Sequence, residues 1–261
     1  MNLLKSLLVS GLLAGSVSGQ PRHPTVDLEL VIAVDVSYSI DMEEQRIQRL
    51  GYVAAFRDPE VLRAVRSGAL GRIAVTYVEW GGSAVQVLPW TMIDSTETAD
   101  SFAAQLSRQP LRRISFTSIS NALAFARELM RSSGFRAHRQ VIDVSGDGPN
   151  NAGAPVPVAR NAAVAEGIVV DGLPIMLDKS SASIPDLDTY YQRCVIGGEG
   201  AFALKVTEIG QLAEAIRRKL VIEILGPKLS EGSPSGPKFA PAVYGAYDCF
   251  IGEELEESIG K

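Results

Sequence analysis

The chain reads as an α/β protein: a doubly wound, mostly parallel sheet with one antiparallel edge strand. Three observations predict this. Val31-Ile32-Ala33-Val34 is apolar and largely β-branched with no polar alternation, the pattern of a strand buried on both faces by helices. Strand-like runs alternate with helix-periodic runs over roughly 200 residues, which specifies strand–helix–strand units and a parallel sheet. Two strand-like runs are joined by the short turn Gly81-Gly82-Ser83, a link short enough to make them antiparallel neighbours.

Taken in order, the chain opens with Met1-Asn2-Leu3-Leu4-Lys5, an apolar run to Gly15 and the small-residue end Ser16-Val17-Ser18-Gly19. This reads as a secretory leader over residues 1–19, too short for a membrane span; an uncleaved anchor or an ordinary helix is the competing reading. No Cys follows it to take a lipid. Nothing later approaches the length of a transmembrane helix, so a soluble periplasmic or secreted chain is expected. The formal net charge of -5 argues against a nucleic-acid partner drawn by bulk charge. The arginines at 108, 112 and 113 and at 131, 136 and 139 are read as solvated faces. Cys194 and Cys249 are the two cysteines. An exported chain permits a disulfide between them, which would tether the C-terminal tail; two separate thiols are the alternative.

The first strand leads into a helix over Asp41–Arg57, with Ile47, Leu50, Val53, Ala54 and Phe56 at near-helical spacing and a stop at Asp58-Pro59. Strands follow over Arg72–Trp80 and Ala84–Pro89. A helix spans Ser95–Leu106 behind a Ser or Thr cap. Another spans Ser118–Ser132, with Ile119, Leu123, Ala126 and Met130 on one face and Gly134 as its end. Gln140–Ser145 is a strand running into Gly146-Asp147-Gly148. Pro155–Glu166 is a helix, Ile168–Ile175 a strand, Leu187–Val195 a short helix, Ala201–Val206 the last strand and Ile209–Ile224 the last helix. The domain is thus expected over 26–225. Residues 226–261 form a Pro/Gly/Ser-rich linker, with Pro227, Pro234, Pro237 and Pro241, and an acidic tail at Glu253-Glu254-Leu255-Glu256-Glu257.

The first strand ends in Asp35-x-Ser37-x-Ser39. Alternate residues of an extended segment point the same way, so one carboxylate and two hydroxyls converge at the C-terminal end of a buried strand, where open α/β sheets place ligands. The same residue types also suit a helix N-cap, and the motif in isolation does not separate the two readings. Thr117, before a helix, and Asp147, in the loop after a second buried strand, lie on the same sheet edge. Asp35, Ser37, Ser39, Thr117 and Asp147 supply only oxygen donors, which suit Mg²⁺, Mn²⁺ or Ca²⁺ rather than zinc.

In this order and on these elements, the five residues resemble the metal-ion-dependent adhesion site (MIDAS) of the von Willebrand factor type A domain. The resemblance covers about Val26 to Leu225. The stretches Arg72–Trp80, Val141–Asn151 and Cys194–Gly198 look like a bacterial exported branch of unknown function. It implies that Asp35, Ser37 and Ser39 hold the ion, that Thr117 joins them in one conformational state, and that Asp147 binds directly or through water. It further implies that an Asp or Glu of a partner protein completes the shell: adhesion or assembly rather than catalysis. Phe116 departs from the pattern, because glycine is more usual before the threonine, and a side chain there restricts the backbone close to the ion.

Two other function classes compete. A metal-dependent hydrolase would need a base, and the two histidines, His23 and His138, stand beside the leader and before a strand at its far end. Phosphate-loop and nucleophile-elbow motifs are missing from the sequence. Asp143, inside a strand, is read as a paired structural acid, and Cys194 has no His companion. A phosphate or nucleotide binder of flavodoxin type could use the hydroxyls at a helix N-terminus, but the two acids would repel the phosphate unless a cation intervened.

Overall fold

The computed structural model describes residues 23–177, 184–226 and 247–259. The expected leader at 1–19 and most of the expected linker, residues 227–246, lie outside the described residues. The sheet is organised around β1 (Thr25–Asp35). It lies between β2 (Ile73–Trp80) and β4 (Arg136–Gly146), parallel to both; β3 (Ala84–Ile93) closes one edge antiparallel to β2, and β5 (Val169–Pro174) closes the other parallel to β4.

The unbroken apolar run of β1 has a direct explanation. Leu28, Leu30, Ile32 and Val34 face one core, with Tyr52, Phe56, Phe102, Ile216 and Leu220. Val31 and Ala33 face the other, with Trp80, Ile119, Leu123, Tyr190 and Tyr191. Each such fully buried aliphatic side chain contributes about 1.5–3 kcal/mol. The first core is covered by α1 (Met42–Arg57), α2 (Pro59–Ser67), α3 (Thr96–Ser107) and α7 (Leu212–Leu225). The second is covered by α4 (Ile119–Arg131), α5 (Val156–Ala165) and the short α6 (Leu187–Tyr190).

Several elements differ from the sequence expectation. Asp58-Pro59 ends α1 but also begins α2: Asp58 accepts the Glu60 amide at 2.7 Å, and Pro59 takes the first helical position, where its missing N–H costs nothing. β3 runs on past Pro89 to Ile93, with Pro tolerated on an edge strand. The helix expected over Leu187–Val195 passes into a π turn from Tyr191 to Val195. Ala201–Val206 runs beside β5 through isolated bridges at Ala203 and Val206 rather than a continuous ladder. A one-turn 3₁₀ segment at Ile209–Gln211 precedes α7. The acidic end contains a helix, α8 (Ile251–Ile259); in agreement with the expected tether, Cys249 is bonded to Cys194. No helix among the described residues is long and apolar enough to cross a membrane.

Candidate metal centre

Asp35 is the last residue of β1 and is fully buried. One of its oxygens, Oδ1, accepts the Ser37 amide at 2.7 Å. Ser37 Oγ lies 2.9 Å from Ser39 Oγ, which donates to Asp147 Oδ1 at 2.7 Å. Four of the five expected residues are therefore linked by hydrogen bonds across the ends of β1 and β4, through the Ser37 amide and the two serine hydroxyls. The capping alternative fails for the first loop: Asp41, not Ser37 or Ser39, caps α1, in a reciprocal box with Glu44.

Thr117 is held at the same edge by backbone contacts. Ile114 N donates to Val36 O at 3.0 Å, placing this loop against the first, and Asn151 N donates to Thr117 O at 2.8 Å. Asn151 Oδ1 accepts the Thr117 amide at 2.8 Å. Thr117 is buried, and the cap of α4 is Ser118, so the threonine hydroxyl is not spent on capping. Among the described residues no group of three or more His, Cys, Asp and Glu side chains is placed to hold a metal; a centre here depends on hydroxyls as well as its two acids.

The electrostatics fit a cation. Asp35 Oδ2 is buried and makes no hydrogen bond. Burial, and then the charge of Asp147, hold the Asp35 carboxyl well above the usual carboxylate range, against the pull of the Ser37 and Asp147 amides. Burying one carboxylate beside the charge of another is costly. By donating its proton to Asp147, the Ser39 hydroxyl keeps lone pairs for another ligand. Donor chemistry and the orphaned carboxylate oxygen thus both suit a hard divalent cation.

Residues outside the expected set shape the site. A Cβ on Gly146 would stand 2.8 Å from Asp35 Oδ2, 3.0 Å from the Tyr191 hydroxyl and 3.2 Å from the Trp80 ring; only glycine lets β4 pass this close. Asn150 is fully buried, and its Oδ1 accepts the Ser120 amide at 3.1 Å. The Gly-Pro-Asn-Asn run after Asp147 was the available signal for Asn150. Phe116 adopts φ +63°, the left-handed region that a bulky residue rarely enters. Its side chain is 56% exposed and that of Tyr38 60% exposed, and the Arg113 guanidinium lies 4.8 Å from the centre of the Tyr38 ring.

This architecture is that of the von Willebrand factor type A fold. Proximal thread matrix protein 1 from the mussel byssus is similar over 77% of this chain and 49% of that one, at 18% identity and a TM-score of 0.57. A second structure of it, described with a zinc-occupied MIDAS motif, matches at 17% identity and a TM-score of 0.57, over 77% of this chain and 48% of that one. A von Willebrand factor type A structure from Catenulispora acidiphila matches at 14% identity and a TM-score of 0.56, over 76% and 43% of the two chains. The likeness is one of fold, and the chain spans less than half the length of each of these structures. The chain belongs to the family described as protein of unknown function DUF1194, whose pattern matches residues 25–228. None of the curated proteins matches it.

Proposed function

We propose that this chain is a metal-dependent protein-binding module of the bacterial cell envelope. Asp35, Ser37, Ser39, Thr117 and Asp147 hold one Mg²⁺ or Mn²⁺, with Ca²⁺ as the other hard cation that suits such donors. The observation that carries this reading is the buried, unbonded Oδ2 of Asp35 facing the Asp147 charge. When bound, the cation supplies a positive charge that attracts a carboxylate of the partner. Around it the chain presents Tyr38 and Phe116 as exposed aromatic surface and Arg113 as a cation, residue types that often dominate interfaces. The zinc-occupied MIDAS motif of a structure with the same fold supports metal binding.

Residues 26–225 are the binding domain, and residues 1–19 are a leader removed on export to the periplasm or beyond. Catalysis is not proposed. His23 bonds Gly134 O, and His138 lies 4.0 Å from Asp27; both flank the starts of β1 and β4, at the opposite end of the sheet from Asp35 and Asp147. Titration calorimetry with Mg²⁺ and Mn²⁺ tests the site: saturable binding is expected for the wild type and none for Asp35→Ala. Undiminished binding by that variant would remove the assignment.

A further inference from the structure

The C-terminal helix α8 is seated on the loop that carries Asn150 and Asn151. Each asparagine divides its amide between two duties. Asn150 Oδ1 accepts the Ser120 amide, while its Nδ2 donates to Glu253 Oε1 at 2.7 Å and to Ala152 O at 3.0 Å. Asn151 Oδ1 accepts the Thr117 amide, while its Nδ2 reaches Glu256 Oε2 at 3.4 Å. Glu253 and Glu256 are one helical turn apart and share a face. Between the helix and the loop the approach is close: a Cβ on Gly252 would lie 2.0 Å from Asn150 O. The loop is thus a ledge with two amide donors spaced for two carboxylates on one helix, and a crossing point that admits only glycine.

The attachment of α8 to this ledge is incomplete. Glu253 Oε2 is buried without a hydrogen bond, which weakens docking. Glu254, Leu255, Glu256 and Glu257 remain exposed. The segment is held near by the Cys194–Cys249 disulfide, by Tyr247, whose hydroxyl donates to Asp186 Oδ2 at 2.9 Å, and by the packing of Tyr247, Cys249 and Ile251 against the second core. A tether of this kind raises the effective concentration of a weak ligand.

We propose that α8 is an exchangeable ligand bound in cis, and that the Asn150–Asn151 ledge is a receptor for an acidic helix. The helix it fits in trans carries carboxylates one turn apart and a glycine one residue before the first of them, where it crosses the loop. Such a helix on a partner protein competes with α8 and lands beside Thr117. The inference does not require the cation, since every contact used is made by protein groups alone.

The probe is a fluorescein-labelled peptide of residues 247–259 with serine for Cys249, and binding is read by anisotropy in EDTA and again in Mg²⁺. Full-length Gly252→Leu, which keeps the disulfide but expels its own helix, is expected to bind the peptide at least tenfold more tightly than the oxidised wild type. A peptide carrying Gly252→Leu, or both Glu253→Gln and Glu256→Gln, is expected to lose at least tenfold. A second readout uses the wild type alone. Reduction with dithiothreitol is expected to lower hydrogen-exchange protection of α8 amides at least tenfold while β1 and β4 keep theirs. Failure of Gly252→Leu chain with native circular dichroism to bind the peptide, equal binding by the oxidised wild type, or α8 protection that survives reduction would each overturn the proposal. A chain that binds the peptide in EDTA but takes up no Mg²⁺ would leave the ledge standing and remove the metal reading.

Discussion

At the scale of single residues, Phe116 shows how the site's surroundings are built against local preference. Its φ of +63° is the one positive value among the described non-glycine residues, and such a conformation costs on the order of 1–3 kcal/mol. With the ring more than half exposed, burial returns little of that cost in the free protein. Phe116→Gly relieves the strain and adds unfolded-state freedom worth about 0.4–1 kcal/mol in the other direction. The balance is stabilising, and the melting temperature is expected to rise by about 2–4 °C per kcal/mol gained; an unchanged or lower value in differential scanning calorimetry contradicts the strain argument. The departure itself was legible, because a phenylalanine stands where the resemblance leads one to look for glycine. Asp35, Ser37, Ser39 and Asp147 were legible too, since strand-end position and alternation bring them together without any knowledge of packing. Asn151 was not: its role depends on meeting Thr117 across a gap of 34 residues, and neither residue's neighbours signal the other.

At the scale of elements, α7 is fastened to the sheet by a buried ionic cluster. Lys219, fully buried, donates to Asp143 Oδ1 at 2.5 Å and also bonds Glu223. The reading of Asp143 as a paired structural acid agrees with this contact, but its partner lies 76 residues away and the local sequence does not name it. Lys219→Met leaves Asp143 and Glu223 buried without their cation, which is expected to cost about 3–5 kcal/mol in urea unfolding; a loss below about 1 kcal/mol would show that the cluster is not the fastening. Asp171 borders the same cluster. Its Oδ1 accepts the Phe202 amide at 2.9 Å, and burial pushes its carboxyl up to about 7, against the opposing pull of Lys219. A raised carboxyl stabilises the fold fully below its unfolded value near 4, and this contribution disappears as pH rises towards 7. Asp171→Asn is therefore expected to gain on the wild type as pH goes from 4.5 to 7.5, and parallel stability curves for the two proteins would contradict it. Helix α2 is hard to see in the sequence because Asp58-Pro59 suits a helix stop as well as a helix start, proline being favoured at a first helical position. Ala201–Val206 has the composition of a strand, yet its pairing with β5 reduces to isolated bridges, a matter of tertiary placement.

At the scale of the whole molecule, strand alternation and one short hairpin sufficed to predict the layers and the antiparallel edge. The tether of the tail through Cys194–Cys249 was legible; the helix α8 and its crossing of the loop at Gly252 were beyond reach, since an acidic run after a Pro-rich stretch reads as solvated. The proposed cation links this global fold to an unfavourable local feature, the paired acids Asp35 and Asp147. Asp35 and Asp147 sit at the ends of β1 and β4, the two strands that share the central ladder, so their mutual repulsion acts on the middle of the sheet. A cation that binds the folded chain and not the unfolded one stabilises it by mass action, about 2.7 kcal/mol at a hundredfold excess over its dissociation constant. For a chain with roughly 200 folded residues, this corresponds to a rise in melting temperature on the order of 5–10 °C. The rise is expected with Mg²⁺ or Mn²⁺, reversed by EDTA, and missing from Asp35→Ala and Asp147→Ala. Those variants also remove a buried, repelled carboxylate, so without metal they are expected to melt no lower than the wild type. An equal metal-induced shift in wild type and both variants would place the ion elsewhere on the chain, and a variant that melts far lower without metal would show that the acids hold the sheet together by themselves.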